Sequence, residues 1–244
     1  MPLDNPPLPA HDFRQAVIFD VDGTLLDDDN AVAIALKVFR SHYREWLPIP
    51  LEELTIRWKA LLGIHFGRYL AGEISMQEQR RARLRDLFAP SIPVLADEAA
   101  DAMFTVYEQA YRRAWTPFPD AVPALEALRS FRLAVLTNGD LAFQVQKLQS
   151  AGLLEYFPEV FASSEAGFAK PHPEAFELAC RRLGVEPGQC VHVGDNLETD
   201  AKGSARAGLM SVWLDRTVSG GAPPAGIQVI HDLSELPLLV AAGR

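Results

Sequence analysis

The chain has 244 residues, of which 48% are hydrophobic and 23% charged, and its formal net charge is -9. A chain of this length buries a real core and has room for one domain plus a sizeable insertion. The acidic balance argues against a nucleic-acid surface, which needs concentrated Lys and Arg, and no apolar run approaches the ~20 residues that span a bilayer.

Residues 1–10 are rich in proline, lack the basic and apolar regions of a secretion signal, and read as a disordered lead-in. The run Ala16-Val17-Ile18-Phe19 then stops at Asp20. Short β-branched runs that end abruptly at polar residues predict buried parallel strands. From about residue 28 to 115 no clear strand occurs. Helical patterns fill this stretch, at about 30–46, 51–62, 75–88 and 97–115, with turn signals at Pro48, Pro50, Gly63, Gly72, Pro90 and Pro93. Residues 28–115 are therefore expected to form a separate helical domain, with Thr116-Pro117-Phe118-Pro119 as the linker back.

Beyond the linker, Leu133-Ala134-Val135-Leu136 ends at Thr137, and a helix over 141–151 stops at Gly152, a natural C-cap. A strand at Val160-Phe161-Ala162 precedes a helix over 174–183 that stops at Gly184. Val191-His192-Val193 leads into Gly194-Asp195, and a helix over 199–207 is ended by Gly208. Residues 210–214 and 227–230 supply the last strands, the second at an edge. Cys180 and Cys190 match neither a zinc spacing nor a disulfide framework. Both read as buried small hydrophobes, which fits a reducing, cytoplasmic setting. Alternating strands and helices predict an α/β fold, a doubly wound parallel sheet with helices on both faces. Its parts are residues 1–27 and 116–244. Ligands bind such sheets beyond the carboxyl ends of the strands, where Asp20, Thr137 and Asp195 fall.

Four motifs at these ends carry chemistry. In Asp20-Val21-Asp22-Gly23-Thr24, one aspartate can attack phosphorus while the other moves protons to the leaving oxygen and from water. A plain turn explains the same residues. In Leu136-Thr137-Asn138-Gly139-Asp140, a hydroxyl and free amides at a helix start make a phosphate cradle, or simply a cap. Lys170-Pro171 puts a cation just before a helix, where the dipole opposes it. It is either a site lysine that neutralises phosphate and nucleophile or an exposed loop residue. Finally, Gly194-Asp195-Asn196-Leu197-Glu198-Thr199-Asp200 brings another carboxylate beside Asp20. Carboxylates that close repel unless a cation sits between them, and hard oxygen ligands with room for water and phosphate indicate Mg²⁺. A turn followed by an N-cap is the local alternative.

In this order the motifs resemble the haloacid dehalogenase superfamily, in its phosphatase branch. The resemblance implies a Rossmann-like, three-layer αβα core with a helical cap inserted between the first two motifs. It implies Asp20 as nucleophile and Asp22 as general acid and base. Thr137, Asn138 and Lys170 would hold phosphate, and Asp20, the main-chain carbonyl of Asp22 and Asp195 would hold Mg²⁺. Asp200 would orient a metal-bound water or Lys170. The namesake dehalogenases lack an acid at the position of Asp22, so the resemblance points to phosphate esters. The fourth motif, with Gly203 and Ala207-Gly208-Leu209, looks like that of N-acylneuraminate-9-phosphatases, and Thr137-Asn138-Gly139 with Ala169-Lys170-Pro171 is also similar to pyrimidine 5′-nucleotidases.

The expected activity is hydrolysis of a small phosphorylated metabolite, a nucleotide or sugar phosphate, by a monomer or homodimer without nucleic-acid or membrane partners. A phosphomutase and a non-catalytic binding protein are the alternatives. Within the helical insertion, Arg57, Lys59, His65 and Arg68 are candidates to meet substrate, with Gly63 and Gly67 bracketing His65 at an expected helix junction near the core; an ordinary surface or half-buried histidine is the alternative for His65. The run Arg80-Arg81-Ala82-Arg83-Leu84-Arg85 reads as a solvated helix face, and Tyr107, Tyr111 and Trp115 as core of the insertion.

Overall fold

A computed structural model describes residues 14–218 and 224–242, so the expected lead-in at residues 1–10 lies outside the described residues. Strand β1 (Ala16–Phe19) is buried along its whole length, as a strand covered on both faces must be. Its alternation sends Val17 and Phe19 into one apolar core and Ala16 and Ile18 into another. The chain then leaves the sheet for four helices, α1 (Asp28–His42), α2 (Leu51–Leu70), α3 (Met76–Phe88) and α4 (Asp97–Arg113). It returns through α5 (Ala121–Ala127) to β2 (Arg132–Thr137), α6 (Leu141–Ser150), β3 (Glu159–Ala162) and a single turn, α7 (Ser163–Ala166). Helix α8 (Pro173–Leu183) and β4 (Cys190–Gly194) follow. A π-helical turn, Leu197–Ala201, runs into α9 (Lys202–Arg206), and β5 (Met210–Leu214), β6 (Ile227–Ile230) and α10 (Leu236–Ala241) complete the described chain.

The strands form one sheet in the order β3-β2-β1-β4-β5-β6, every pair parallel. Residues of α5, α6 and α10 cover the face that carries Phe19, and residues of α8 cover the face that carries Ile18. This is the three-layer Rossmann-like architecture. In the register, Phe19 lies beside Val135 and Val193. Asp20, just past β1, Thr137, the last residue of β2, and Asp195, just past β4, therefore stand at one edge.

Two compact units result, Met1–Leu26 with Pro117–Arg244, and Asp27–Thr116. The second has its own aromatic core. Trp58 is fully buried, with its ring 4.3 Å from that of Tyr107 and 5.8 Å from that of Phe39. Tyr107 belongs to this core, with Tyr111 packed against it. Ser75 and Glu78 close a capping box at the start of α3, the reciprocal pairing that satisfies two free amides.

Gly63 and Gly67 do not break a helix; α2 runs through both, from Leu51 to Leu70. Each glycine costs roughly 1 kcal/mol in a helix interior, and burial of Leu54, Trp58 and His65 along the same helix outweighs that cost. The expected helix over 199–207 begins instead as a π turn at Leu197, where Asn196 accepts hydrogen bonds from the amides of Glu198 and Thr199. Cys180 and Cys190 are free and buried, with their sulfurs 3.4 Å apart. Among the described residues no helix is long and apolar enough to cross a membrane.

Replacing Trp58 by Ala removes the largest fully buried side chain and is expected to cost about 3–5 kcal/mol. Urea unfolding followed by circular dichroism measures this, and a loss below ~1 kcal/mol would contradict the packing described.

Candidate active site

Lys170 stands at the centre of the site. Its side chain is buried, and its ammonium lies 2.6 Å from Asp20 Oδ1 and 2.6 Å from Asp200 Oδ1. The two carboxylates hold the lysine protonated against its burial, well above its ordinary value. The Asn138 amide fixes the main chain of Lys170 from both sides, donating to the Lys170 carbonyl at 2.9 Å and accepting from its amide at 2.8 Å. The Asn138 side chain is thus committed to positioning Lys170, which leaves only its main chain free to meet a phosphate. Thr137 is buried, and among the described residues nothing is bonded to its hydroxyl. Asp140, not Thr137, caps α6, accepting from the Phe143 amide at 2.8 Å.

Asp20 follows β1 and is buried. Its second oxygen accepts from the Thr24 hydroxyl at 3.3 Å, and that hydroxyl in turn accepts from the Asp195 amide at 3.0 Å. Burial pushes the Asp20 carboxyl up to about 7; Lys170 opposes this, and Asp200 and Asp22 add to it. Asp195 is shifted in the same direction, through desolvation and through Asp20 and Asp200, although its outer face is open to solvent. Asp200 goes the other way. Although buried, it is held below the ordinary carboxylate range by Lys170 and by His192, whose Nε2 lies 3.3 Å away. Burial lowers the pKa of His192 itself, and Asp200 opposes that shift.

Two glycines make this crowding possible. Gly23 has φ +82°, and a Cβ there would lie 2.3 Å from Asp195 Oδ2. A Cβ on Gly194 would lie 2.4 Å from Asp200 Cγ. Arg216 braces the loop from outside, donating to the carbonyls of Gly23 at 3.3 Å and Thr24 at 2.8 Å while paired with Asp120. Its guanidinium also lies 3.8 Å from the centre of the Phe118 ring.

Asp20, Asp195 and Asp200 can each offer an oxygen within 4.8 Å of the others. Lys170 serves Asp20 and Asp200, whereas among the described residues Asp195 has no cationic partner. A compact set of hard oxygens with surplus negative charge fits a divalent cation of the Mg²⁺ kind. On the other side of the loop, Asp22 accepts from Lys147 Nζ at 2.6 Å and from Gln144 Nε2 at 3.4 Å. Thr24, Gln144, Lys147, His192 and Arg216 were not singled out by sequence. Of these only Thr24 sits inside a recognised motif.

The candidates in the helical unit are all paired within it: Arg57 with Glu53, Lys59 with Asp29, Arg68 with Glu73, and buried His65 with Asp86 at 2.8 Å. The arginine run is not one solvated face. Arg80, Arg81 and Arg85 pair with Glu108, Asp97 and Asp101, but Arg83 is 4% exposed and lies 4.3 Å over the Trp58 ring. The aromatic faces of α2 and α4 draw it inward.

Residues 15–208 match the family described as haloacid dehalogenase-like hydrolase. The chain belongs to that family. N-acylneuraminate-9-phosphatase of Homo sapiens is 30% identical over 237 residues, 93% of each chain. A solved HAD-hydrolase of Bacillus subtilis bound to magnesium, in which interdomain movement was seen, superposes with a TM-score of 0.79 at 25% identity, over 93% of this chain and 99% of that one. The L-2-haloacid dehalogenase of Xanthobacter autotrophicus shares the fold as well, with a TM-score of 0.72, 26% identity, and 93% and 98% covered. Within the family this chain is a hydrolase of the phosphatase branch.

Replacing Lys170 by Met would leave Asp20 and Asp200 buried without their cation, at an expected cost of about 3–5 kcal/mol. Urea unfolding of the metal-free protein at neutral pH measures it, and a loss under ~1 kcal/mol would show that another group supplies the charge.

Proposed function

We propose that the chain is an Mg²⁺-dependent phosphomonoesterase acting through a phosphoenzyme on Asp20. The observation that carries this is the pairing of two carboxylates on one loop with different partners, Asp20 with Lys170 and Asp22 with Lys147. Asp20 attacks phosphorus with its free oxygen density as the ester P–O bond breaks. Asp22 gives its proton to the departing oxygen, then takes one from the water that releases phosphate from Asp20. Lys170 balances the charge on Asp20, and the Thr137 hydroxyl is free to donate to a phosphate oxygen. Asp20, Asp195 and the main-chain carbonyl of Asp22 would hold Mg²⁺. Its charge, when bound, offsets that of phosphate and carboxylates together.

The groups at this edge recognise a phosphate and little else, so we assign substrate choice to the helical unit, residues 27–116. The substrate class this supports is a small nucleotide or sugar phosphate, in keeping with the full-length phosphatase relative. Hydrolytic dehalogenation is the second reading, favoured by the shared fold alone. A departing halide needs no proton, and Asp22 with its buried lysine has no use in that reaction.

Phosphate release from aryl and alkyl phosphates, with Mg²⁺ and with excess chelator, tests the reading. Activity should vanish in chelator, and acid quenching should trap label on the unaltered chain but not on Asp20→Asn. Asp22→Asn should slow alkyl phosphates by ~10²–10⁴-fold and activated aryl phosphates less. Full activity in chelator, or label retained on Asp20→Asn, would overturn it.

A further inference from the structure

No step of the proposed reaction gives the buried Lys147 of α6, the partner of Asp22, a role of its own. Lys147 is 1% exposed, yet its ammonium lies 2.6 Å from Asp22 Oδ1. Gln144 is 4% exposed, and its amide nitrogen reaches Asp22 Oδ2 at 3.4 Å while its own oxygen has no partner among the described residues. The two residues are three apart, and so share one face of the helix. That helix begins right after the Thr137–Asp140 turn, capped by Asp140. The segment that presents the Thr137 hydroxyl thus also sends a cation and an amide to a carboxylate more than a hundred residues earlier in the chain.

We propose that Lys147, assisted by Gln144, is a positioning residue for Asp22 in proton transfer. The inference rests on the phosphatase reading. Burying an ammonium is costly unless an anion meets it, so a lysine at this depth is explained by the carboxylate it grips. Such a buried pair adds little net stability; its use is to fix geometry. The Asp22 side chain keeps about a third of its surface, 34%, and without restraint would sample several staggered rotamers. Held at both oxygens, it keeps one direction. Proton transfer requires the donor within hydrogen-bond reach of the leaving oxygen, and small misplacements at that step are expensive. During the reaction Asp22 releases one proton as the P–O bond breaks and regains one from water, and Lys147 keeps its own proton throughout.

A residue acting through Asp22 leaves a signature that a purely structural one does not. With Lys147→Met, turnover of an alkyl phosphate should fall ~10-fold or more and that of an activated aryl phosphate by less than ~3-fold, since only the former needs the proton. The Michaelis constant should change little. In an Asp22→Asn background the same substitution should cost less than ~2-fold, because the group it positions is gone. Lys147→Arg should restore part of the loss, and Gln144→Leu should reproduce a smaller version of it, which keeps the test open if Lys147→Met folds poorly. Equal losses on both esters, or an undiminished loss in the Asp22→Asn background, would overturn the positioning role while the unaltered enzyme still hydrolyses both esters. An unaltered enzyme that releases no phosphate with Mg²⁺ would overturn the phosphatase reading and this inference with it.

Discussion

Every other feature of the site follows from the contact of the Lys170 ammonium with Asp20 and Asp200. Three parallel strands end together, and the residues beyond them gather Asp20, Asp22, Asp195 and Asp200 at one edge. Four carboxylates so close would repel one another and favour protonation or unfolding. Lys170 answers two of them and Lys147 a third. The one left over, Asp195, is also the most exposed of the four. A compact group of carboxylates left with surplus negative charge is an arrangement that a divalent cation fits.

The supporting cast serves this arrangement. Asn138 spends its amide on the Lys170 main chain, Thr24 links Asp20 to the Asp195 amide, and Arg216 ties down the loop between Asp20 and Leu26. Gly23 and Gly194 supply the space in which Asp195 and Asp200 sit. Rigid support of this kind matters because electrostatic catalysis depends on groups that need not reorganise. The helical unit is held together separately, by an aromatic core of its own.

Much of this was legible in the sequence. Strands announced themselves because both faces are buried, so that Ala16-Val17-Ile18-Phe19 is an uninterrupted apolar run ending in an acid, and Val191-His192-Val193 is a largely apolar one that reaches an acid after Gly194. Asp20, Lys170 and the fourth-motif acids were readable for the same reason: each stands where a strand or helix begins or ends. Gln144 and Lys147 were not. On a helix of ordinary composition they look like solvent-facing polar residues, and only the fold brings Asp22 to them. Arg83 was hidden in a basic run whose other members pair on the surface, and Arg216 lies beyond the last motif. Gly63 and Gly67 misled because a local helix penalty of about 1 kcal/mol each is small beside the burial of Trp58. Long-range charge pairing and tertiary override of propensity escape a reading made one segment at a time.

Titration of Mg²⁺ into the purified protein by calorimetry tests the central claim most directly. The account predicts saturable binding of a single ion per chain, weakened at least ~10-fold by Asp195→Asn, since a carboxylate ligand carries the affinity for a hard cation. Binding of equal strength in Asp195→Asn, or no binding to the unaltered chain, would contradict it.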